Sequence, residues 1–387
     1  MLKISWPQSL SGTVKISGSK NAALPLLAFG LFFEKFTLHN VPKIGDVMTF
    51  LSIIESLWVT VTWEDHSVHY DTSKMSIEHL DREKIKKIRV GIFLFPALLA
   101  RFGALEIPYP GGCNIGKRPI DEHLNAFARY GYENMGEGEN IAFQWADHKK
   151  DVTIRASFAV TATENILMMA AFREGKTTIE LAAIEPHVLN LVDTMRSLGI
   201  RVDIDHEHNM VIYGSIIERK YAEATVIHDY IESGTFIALG ALTAEPSLRI
   251  EHARIHDLTA YLGKCQEAWI RMDIDKEKDT ITVYNSRTSL KPVNIQTNVY
   301  PGFPTDLQSP FALVLTQAEG ISRIHEVLFE GRLNWLIEVE KMKGHIAIMN
   351  PHEAMIFGRT HLKGTTVSSW DLRAWVTMIL AGMIARG

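Results

Sequence analysis

A chain of 387 residues in which one order of elements recurs about six times has few ways to fold. Each copy of such a unit leaves an apolar face that only its neighbours can cover, so the copies must pack on one another. From Gly12 the order is strand (Thr13 to Ser17), polar loop (Gly18-Ser19-Lys20), apolar helix (Asn21 to Phe33), strand (Lys35 to Asn40), amphipathic helix (about Ile44 to Leu57) and two short strands ending near Tyr70. This β-α-β-α-β-β order returns from Val152, Ala224 and Val293, with looser versions over Arg89 to Trp145 and His361 to Gly387. Within a clear copy the helix starts lie 20 to 25 residues apart, as Asn21 to Ile44 and Asp306 to Gly331 show. The last copy stops after the helix Leu372 to Ala385, which predicts a truncated sixth repeat.

Local chemistry marks the same boundaries. Asn21, Thr163, Ser233 and Asp371 are expected at helix N-termini as hydrogen-bond acceptors. Gly131, Gly199 and Gly344 are expected at the left-handed position after a helix, which Trp58 and Trp269 occupy in two other copies. Single cores stop growing near ~250 to 300 residues, so the length predicts two domains. The polar stretch Gly214 to Glu223 is the expected boundary, with three copies on each side.

Forty Lys+Arg against forty-five Asp+Glu leave a net charge of −5, so no overall basic field points to nucleic acid or an anionic membrane. An anionic ligand must be held locally. If the first helices of the copies converge on a shared crevice, their N-termini supply partial positive charge and unpaired N–H groups for that purpose. The longest apolar runs, such as Val90 to Ala100, are too short or too broken to span a bilayer. Two cysteines make no disulfide framework, and Met1 to Pro7 lacks the features of a signal peptide, so a reduced cytoplasmic location is expected.

The run Tyr109-Pro110-Gly111-Gly112-Cys113-Asn114-Ile115-Gly116-Lys117-Arg118-Pro119 sets a cysteine in a glycine-rich loop beside two cations. Nearby positive charge favours the thiolate, so the run is either a reactive-cysteine loop or an exposed turn with an incidental thiol. Cys265 falls in an apolar helix pattern and is expected in the core. Lys20-Asn21 stands at a loop-to-helix junction, Arg89 at a charged-to-apolar transition, and Asp121 and His123 in the first turns of a helix. Tyr300-Pro301-Gly302-Phe303-Pro304-Thr305-Asp306 is a rigid turn that delivers a carboxylate to a helix start, as a general base or a cap. Arg332 and Asp371-Leu372-Arg373 are further charged helix starts. No Cys/His set has zinc spacing, and neither a nucleotide P-loop nor a dinucleotide glycine fingerprint is present.

Taken together, Ser17 to Pro25, Leu98 to Gly103, Gly111 to Asp121, Ala162-Thr163-Glu164-Asn165, Glu232 to Phe236, Tyr300 to Asp306 and Asp371 to Arg373 resemble the UDP-N-acetylglucosamine 1-carboxyvinyltransferase family of enolpyruvyl transferases, over essentially the whole chain. The resemblance implies two inside-out α/β barrel domains, each of three βαβαββ repeats with a ligand cleft between them. One domain would be residues 1–18 plus 220–387, the other residues 19–219 with Cys113.

The implied reaction moves the enolpyruvyl group of phosphoenolpyruvate to the 3′-hydroxyl of UDP-N-acetylglucosamine and opens peptidoglycan synthesis, with no cofactor or metal. The implied partners are these two small molecules. By the same resemblance Cys113 is the thiol that protonates or adds to phosphoenolpyruvate, and Asp306 is the base for the sugar hydroxyl. Lys20, Arg89 and Arg118 are the phosphate and carboxylate cations, and Asn21 contacts the nucleotide sugar. Phe93, Pro119, Ile120, Asp121, Leu328 and Arg332 complete the substrate contacts, with Asp121 on the uridine side. Thr161 stands where the family has glycine. Two alternatives are a 3-phosphoshikimate 1-carboxyvinyltransferase, whose site lacks the loop cysteine, and a truncated or decayed homologue that binds nucleotide sugar or a partner without turnover.

Overall fold

The computed structural model describes residues 2–5, 8–109, 111, 120–136, 140–145, 150–215, 219–369 and 371–387. Six short helices form its interior: α1 (Lys20–Gly30), α2 (Leu94–Phe102), α3 (Val160–Ala171), α4 (Tyr230–Thr243), α5 (Gln308–Leu315) and α6 (Leu372–Ile384). In α1 and α3 every residue beyond the first two is buried, and in α5 every residue is. A helix that is apolar on all sides has no face to give to water and must be enclosed. α1, α2 and α3 pack together in one unit, and α4, α5 and α6 in another.

The sheets lie outside these helices. Their strands bury one face and expose the other, as the alternation along Ser67–Asp71 and Tyr221–Thr225 shows. Four of the sheets share one plan, in which a parallel pair is followed by an antiparallel pair. Val152–Arg155 and Gly175–Glu180 are such a parallel pair, continued by Met210–Gly214 and Arg201–Ile204. The loose second copy gives a three-stranded antiparallel sheet of Ala104–Pro108, Asn140–Trp145 and Tyr132–Asn134. In the sixth, Lys363 and Arg386 form an isolated parallel bridge beside α6. The architecture is thus the expected one of two α/β units built from βαβαββ repeats with their helices inside.

The first and fourth copies exchange their opening strands. Leu10–Lys15 opens the first copy in sequence but pairs in parallel with Ala244–Glu251 of the fourth. Tyr221–Thr225 opens the fourth copy and pairs in parallel with Lys35–His39 of the first. Among the described residues, those up to Ile16 and those from His228 to Gly387 therefore form one unit, and those between Ser17 and Ile227 the other. The expected divisions after residues 18 and 219 move to 16 and 227, because the strand at 221–225 is held in the sheet of the unit that precedes it.

Of the expected helix caps only Asp371 caps, accepting from the Ala374 N–H. Asn21, Thr163 and Ser233 lie inside their helices, and Asp229 caps α4 in place of Ser233. Gly131 and Gly199 take the left-handed conformation as expected, and so do Trp58 and Trp269, with φ of 63° and 60°. At the last such site Lys343 has the positive φ rather than Gly344. Gly344 is required for space instead, since a Cβ there would lie 2.4 Å from Val339 Cγ1. Cys265 is fully buried as expected, and burial pushes its thiol well above the ordinary range. No helix among the described residues is long and apolar enough to cross a membrane.

The enclosure of the inner helices has a measurable consequence. Leu313→Ala, at a fully buried position of α5, should cost about 2–5 kcal/mol in urea unfolding. Leu372→Ala, at a position 51 % exposed in α6, should cost under about 0.5 kcal/mol. Similar losses for the two would contradict the inside-out arrangement.

Candidate active site

In the unit from His228 to Gly387, the turn Tyr300 to Asp306 ends in a 3-10 helix, Thr305–Leu307, that leads directly into α5. Phe303 anchors it by packing its ring against Tyr261 and Phe311. Gly302 is required where the chain doubles back, since a Cβ there would come within 2.6 Å of Asn298 Cβ. This rigid support fixes Asp306.

Both carboxylate oxygens of Asp306 are held by arginines. Arg332 Nη2 lies 2.7 Å from Oδ1, while Arg373 Nε and Nη2 donate to Oδ2 at 3.1 and 2.9 Å. Arg332 is itself buried; its Nη1 donates to Thr305 Oγ1 at 3.2 Å and its guanidinium lies over Phe329. Thr305 Oγ1 donates in turn to Glu326 Oε2 at 2.8 Å. Glu326 is fully buried, and its other oxygen accepts from Thr297 Oγ1 and from the Leu328 N–H at 2.9 and 3.0 Å. Burial works against the charge on Arg373, but the carboxylates of Asp306, Asp229 and Asp371 more than offset it and hold the guanidinium protonated more firmly than usual. The cluster is a fixed carboxylate in a frame of charge-assisted bonds.

In the unit between Ser17 and Ile227, Lys20 begins α1 and its Nζ sits 3.0 Å from Asp46 Oδ2. Asn21 follows it in the first turn. Arg89 begins the 3-10 helix Arg89–Phe93, and Asp121 begins the helix Asp121–Arg129 with Ile120 as its N-cap residue.

A buried network ties the last two of these elements to α3. Asn165 Nδ2 donates to the Ile92 carbonyl at 3.0 Å and meets His123 Nδ1 at 2.9 Å, so Nδ1 is an acceptor and the ring proton is on Nε2. That proton points to Thr161 Oγ1, 3.0 Å away. Burial, and secondarily the charge of Arg89, pull the His123 imidazole down to about 3. Thr161 thus uses its hydroxyl on a protein partner. In the next turn Glu164 is buried, and burial together with the Glu185 charge raises its carboxyl well above the usual range.

The structure brings Asp306, Leu328 and Arg332 into one cluster, and Lys20, Asn21, Arg89, Ile120 and Asp121 to helix starts of the other unit. Phe93, expected among the substrate contacts, is 3 % exposed and packs in the apolar core of its unit. Cys113, Arg118 and Pro119 lie outside the described residues. Glu326 carries no local sequence signal, because its partners Thr297 and Thr305 stand 29 and 21 residues before it. Among the described residues no group of three or more His, Cys, Asp or Glu side chains is placed to hold a metal ion.

The family model described as EPSP synthase (3-phosphoshikimate 1-carboxyvinyltransferase) matches residues 4–387. The UDP-N-acetylglucosamine 1-carboxyvinyltransferase of Sulfurimonas denitrificans is 37% identical over 391 residues, covering 100% of this chain and 92% of the relative. The enzyme of the same name from Helicobacter hepaticus is 35% identical, with 100% and 91% covered. Among solved structures, the enolpyruvyl transferase NikO from Streptomyces tendae superposes with a TM-score of 0.88 at 24% identity, covering 99% of this chain and 90% of that one. An EPSP synthase from Acinetobacter baumannii gives 0.71 at 15% identity, with 100% and 92% covered.

The His123 network generates a pH dependence with a definite sign. Unfolded, the imidazole titrates near ~6.5, whereas folded it is held at about 3. As pH falls the unfolded chain takes up the proton first, so the stabilisation is complete above about pH 6.5 and is lost progressively towards pH ~3. Between pH 7 and pH 5, urea unfolding of the native sequence should lose about 2 kcal/mol more than that of His123→Gln. Equal losses would show that His123 is not held neutral.

Proposed function

The chain belongs to the enolpyruvyl transferase family that the EPSP synthase model describes, and from that membership we propose that it moves the enolpyruvyl group of phosphoenolpyruvate to the 3′-hydroxyl of UDP-N-acetylglucosamine and releases inorganic phosphate. The observation that carries the choice of acceptor is the identity of 35 to 37% along the full chain with relatives named for that reaction. The cysteine in the loop 111–121 favours the same acceptor over 3-phosphoshikimate.

In the proposed sequence the methylene carbon of phosphoenolpyruvate gains a proton, which leaves positive charge on C2. The sugar 3′-oxygen bonds to C2 as Asp306 removes its proton, giving a tetrahedral ketal. Loss of a proton from the methyl carbon and cleavage of the bond from C2 to the phosphate oxygen then release phosphate and the enol ether. Asp306 suits the base because two arginines and the Thr305–Glu326 brace fix its carboxylate, so little reorganisation accompanies proton transfer.

Cys113 is the proposed acid, or the nucleophile that adds to C2. Lys20, Arg89 and Arg118 are the proposed partners of the phosphate and carboxylate, with Asn21, Ile120, Asp121, Leu328 and Arg332 serving the nucleotide sugar. In a cell the reaction is the committing step of peptidoglycan synthesis, carried out in the cytoplasm, and so serves cell-wall biogenesis and division.

Asp306→Asn keeps the side-chain shape and removes the base, so turnover should fall about 10²- to 10⁴-fold. A rate within about threefold of the native one would remove Asp306 from that role. Intact-mass measurement with both substrates present should find a phosphoenolpyruvate adduct that Cys113→Ala lacks; an equal adduct on both proteins would sink the assignment of Cys113.

A further inference from the structure

At the C-terminal ends of α1, α2 and α3, opposite the turns that carry Lys20 and Thr161, the 17–227 unit has two adjoining open depressions of about 380 and 430 Å³. They share Phe32, Ala100 and Arg219, and each is large enough for a small organic molecule. Their described lining includes three arginines, Arg101, Arg173 and Arg219, but only two acids, Glu34 and Glu174, which leaves one positive charge in excess. Burial disfavours the charge on all three arginines, and Arg219 adds repulsion at Arg101, partly offset by Glu34.

The three arginines are not used alike. Arg101 is structural: it donates to the Leu31 and Phe33 carbonyls and to Thr72 Oγ1, closing the end of α1. Arg219 makes one such bond, from Nη2 to the Phe172 carbonyl at 3.1 Å, and lies over the Phe172 ring. Arg173 makes no such bond to a carbonyl among the described residues, and its polar neighbour is Tyr130. Its guanidinium lies 4.6 Å over the Tyr130 ring, with both terminal nitrogens enclosed by protein and out of hydrogen-bonding geometry, while Tyr130, Tyr132 and Asp151 act on it electrostatically. Enclosed donors left without a well-aligned acceptor on a half-buried cation are costly unless an occupant supplies acceptors.

We propose that these depressions are a binding site, separate from the proposed catalytic residues, for a small monoanion with a flat apolar body, such as an aromatic carboxylate. Arg173 swings off the Tyr130 face to meet the carboxylate, which it shares with Arg219. The apolar body lies against Phe32, Leu99 and Met169. A bare anion lacks that contact, and a neutral aromatic gives Arg173 no charged acceptor.

Benzoate is the probe. Titrated into the full chain labelled at methionine methyl groups, with UDP-N-acetylglucosamine saturating, it should shift the Met169 resonance saturably, that signal being assigned with Met169→Leu. Acetate and benzyl alcohol should bind at least about tenfold more weakly. Arg173→Gln should weaken benzoate by about tenfold or more while leaving the thermal midpoint within a few degrees of the native value. Absence of a saturable shift in the native protein, loss of the shift when UDP-N-acetylglucosamine is added, or unchanged affinity in folded Arg173→Gln would each overturn the proposal.

Discussion

Helices with no polar side govern this molecule. A segment such as Ala22 to Gly30, buried at every residue, is stable only when other chain surrounds it completely, and a single βαβαββ copy cannot do that. Three copies supply three such helices that bury one another, and the sheets close around them. The apolar surface removed from water is then shared among the copies, so no copy is an independent domain. The same constraint explains the strand exchange. Lys35–His39 and Ala244–Glu251 both need a parallel neighbour to finish a sheet, and each takes it from the strand that opens the other's copy.

Burying the helix bodies leaves their ends to carry the polar chemistry. At the N-terminal ends stand Lys20, Asn21 and Thr161, Asp229, and the Asp371–Arg373 turn. Asp306 lies one short 3-10 turn before α5. Its ion pairs with Arg332 and Arg373 join three stretches of chain, and removal of any one partner leaves charge uncompensated in a partly buried place. At the C-terminal ends of α1 and α3, Arg101 and Arg219 donate to carbonyls that the helices leave open. The repeat therefore yields sites at its helix ends as a by-product of its core.

Much of this was legible in the residues. The apolar helix expected over Asn21 to Phe33, observed as Lys20–Gly30, and the strands on either side of Gly45–Ser56 fell close to where the sequence placed them, because periodicity and turn residues act locally. Trp58 and Trp269 could be matched to glycine positions by repeat register, and both have the left-handed backbone. Partner choice was less accessible. Nothing in Tyr221–Thr225 distinguishes pairing with Lys35–His39 from pairing with the strand that follows it in sequence. Thr163 and Ser233 look like caps by composition, yet each spends its hydroxyl inside a buried helix, Thr163 on the Ala159 carbonyl and the Ala183 N–H, and Ser233 on the Asp229 carbonyl. In the candidate site, Asp306 was visible through its rigid turn, whereas Glu326 becomes evident only when Thr297 and Thr305 converge on it.

The central claim is the identity of the acceptor, and product analysis tests it most directly. The chain is incubated with phosphoenolpyruvate and, in separate reactions, UDP-N-acetylglucosamine or 3-phosphoshikimate, and both released phosphate and the organic product are quantified. The account predicts equimolar phosphate and the 3′-enolpyruvyl ether with UDP-N-acetylglucosamine, and neither with 3-phosphoshikimate. Phosphate and enol ether from 3-phosphoshikimate, with none from UDP-N-acetylglucosamine, would contradict it.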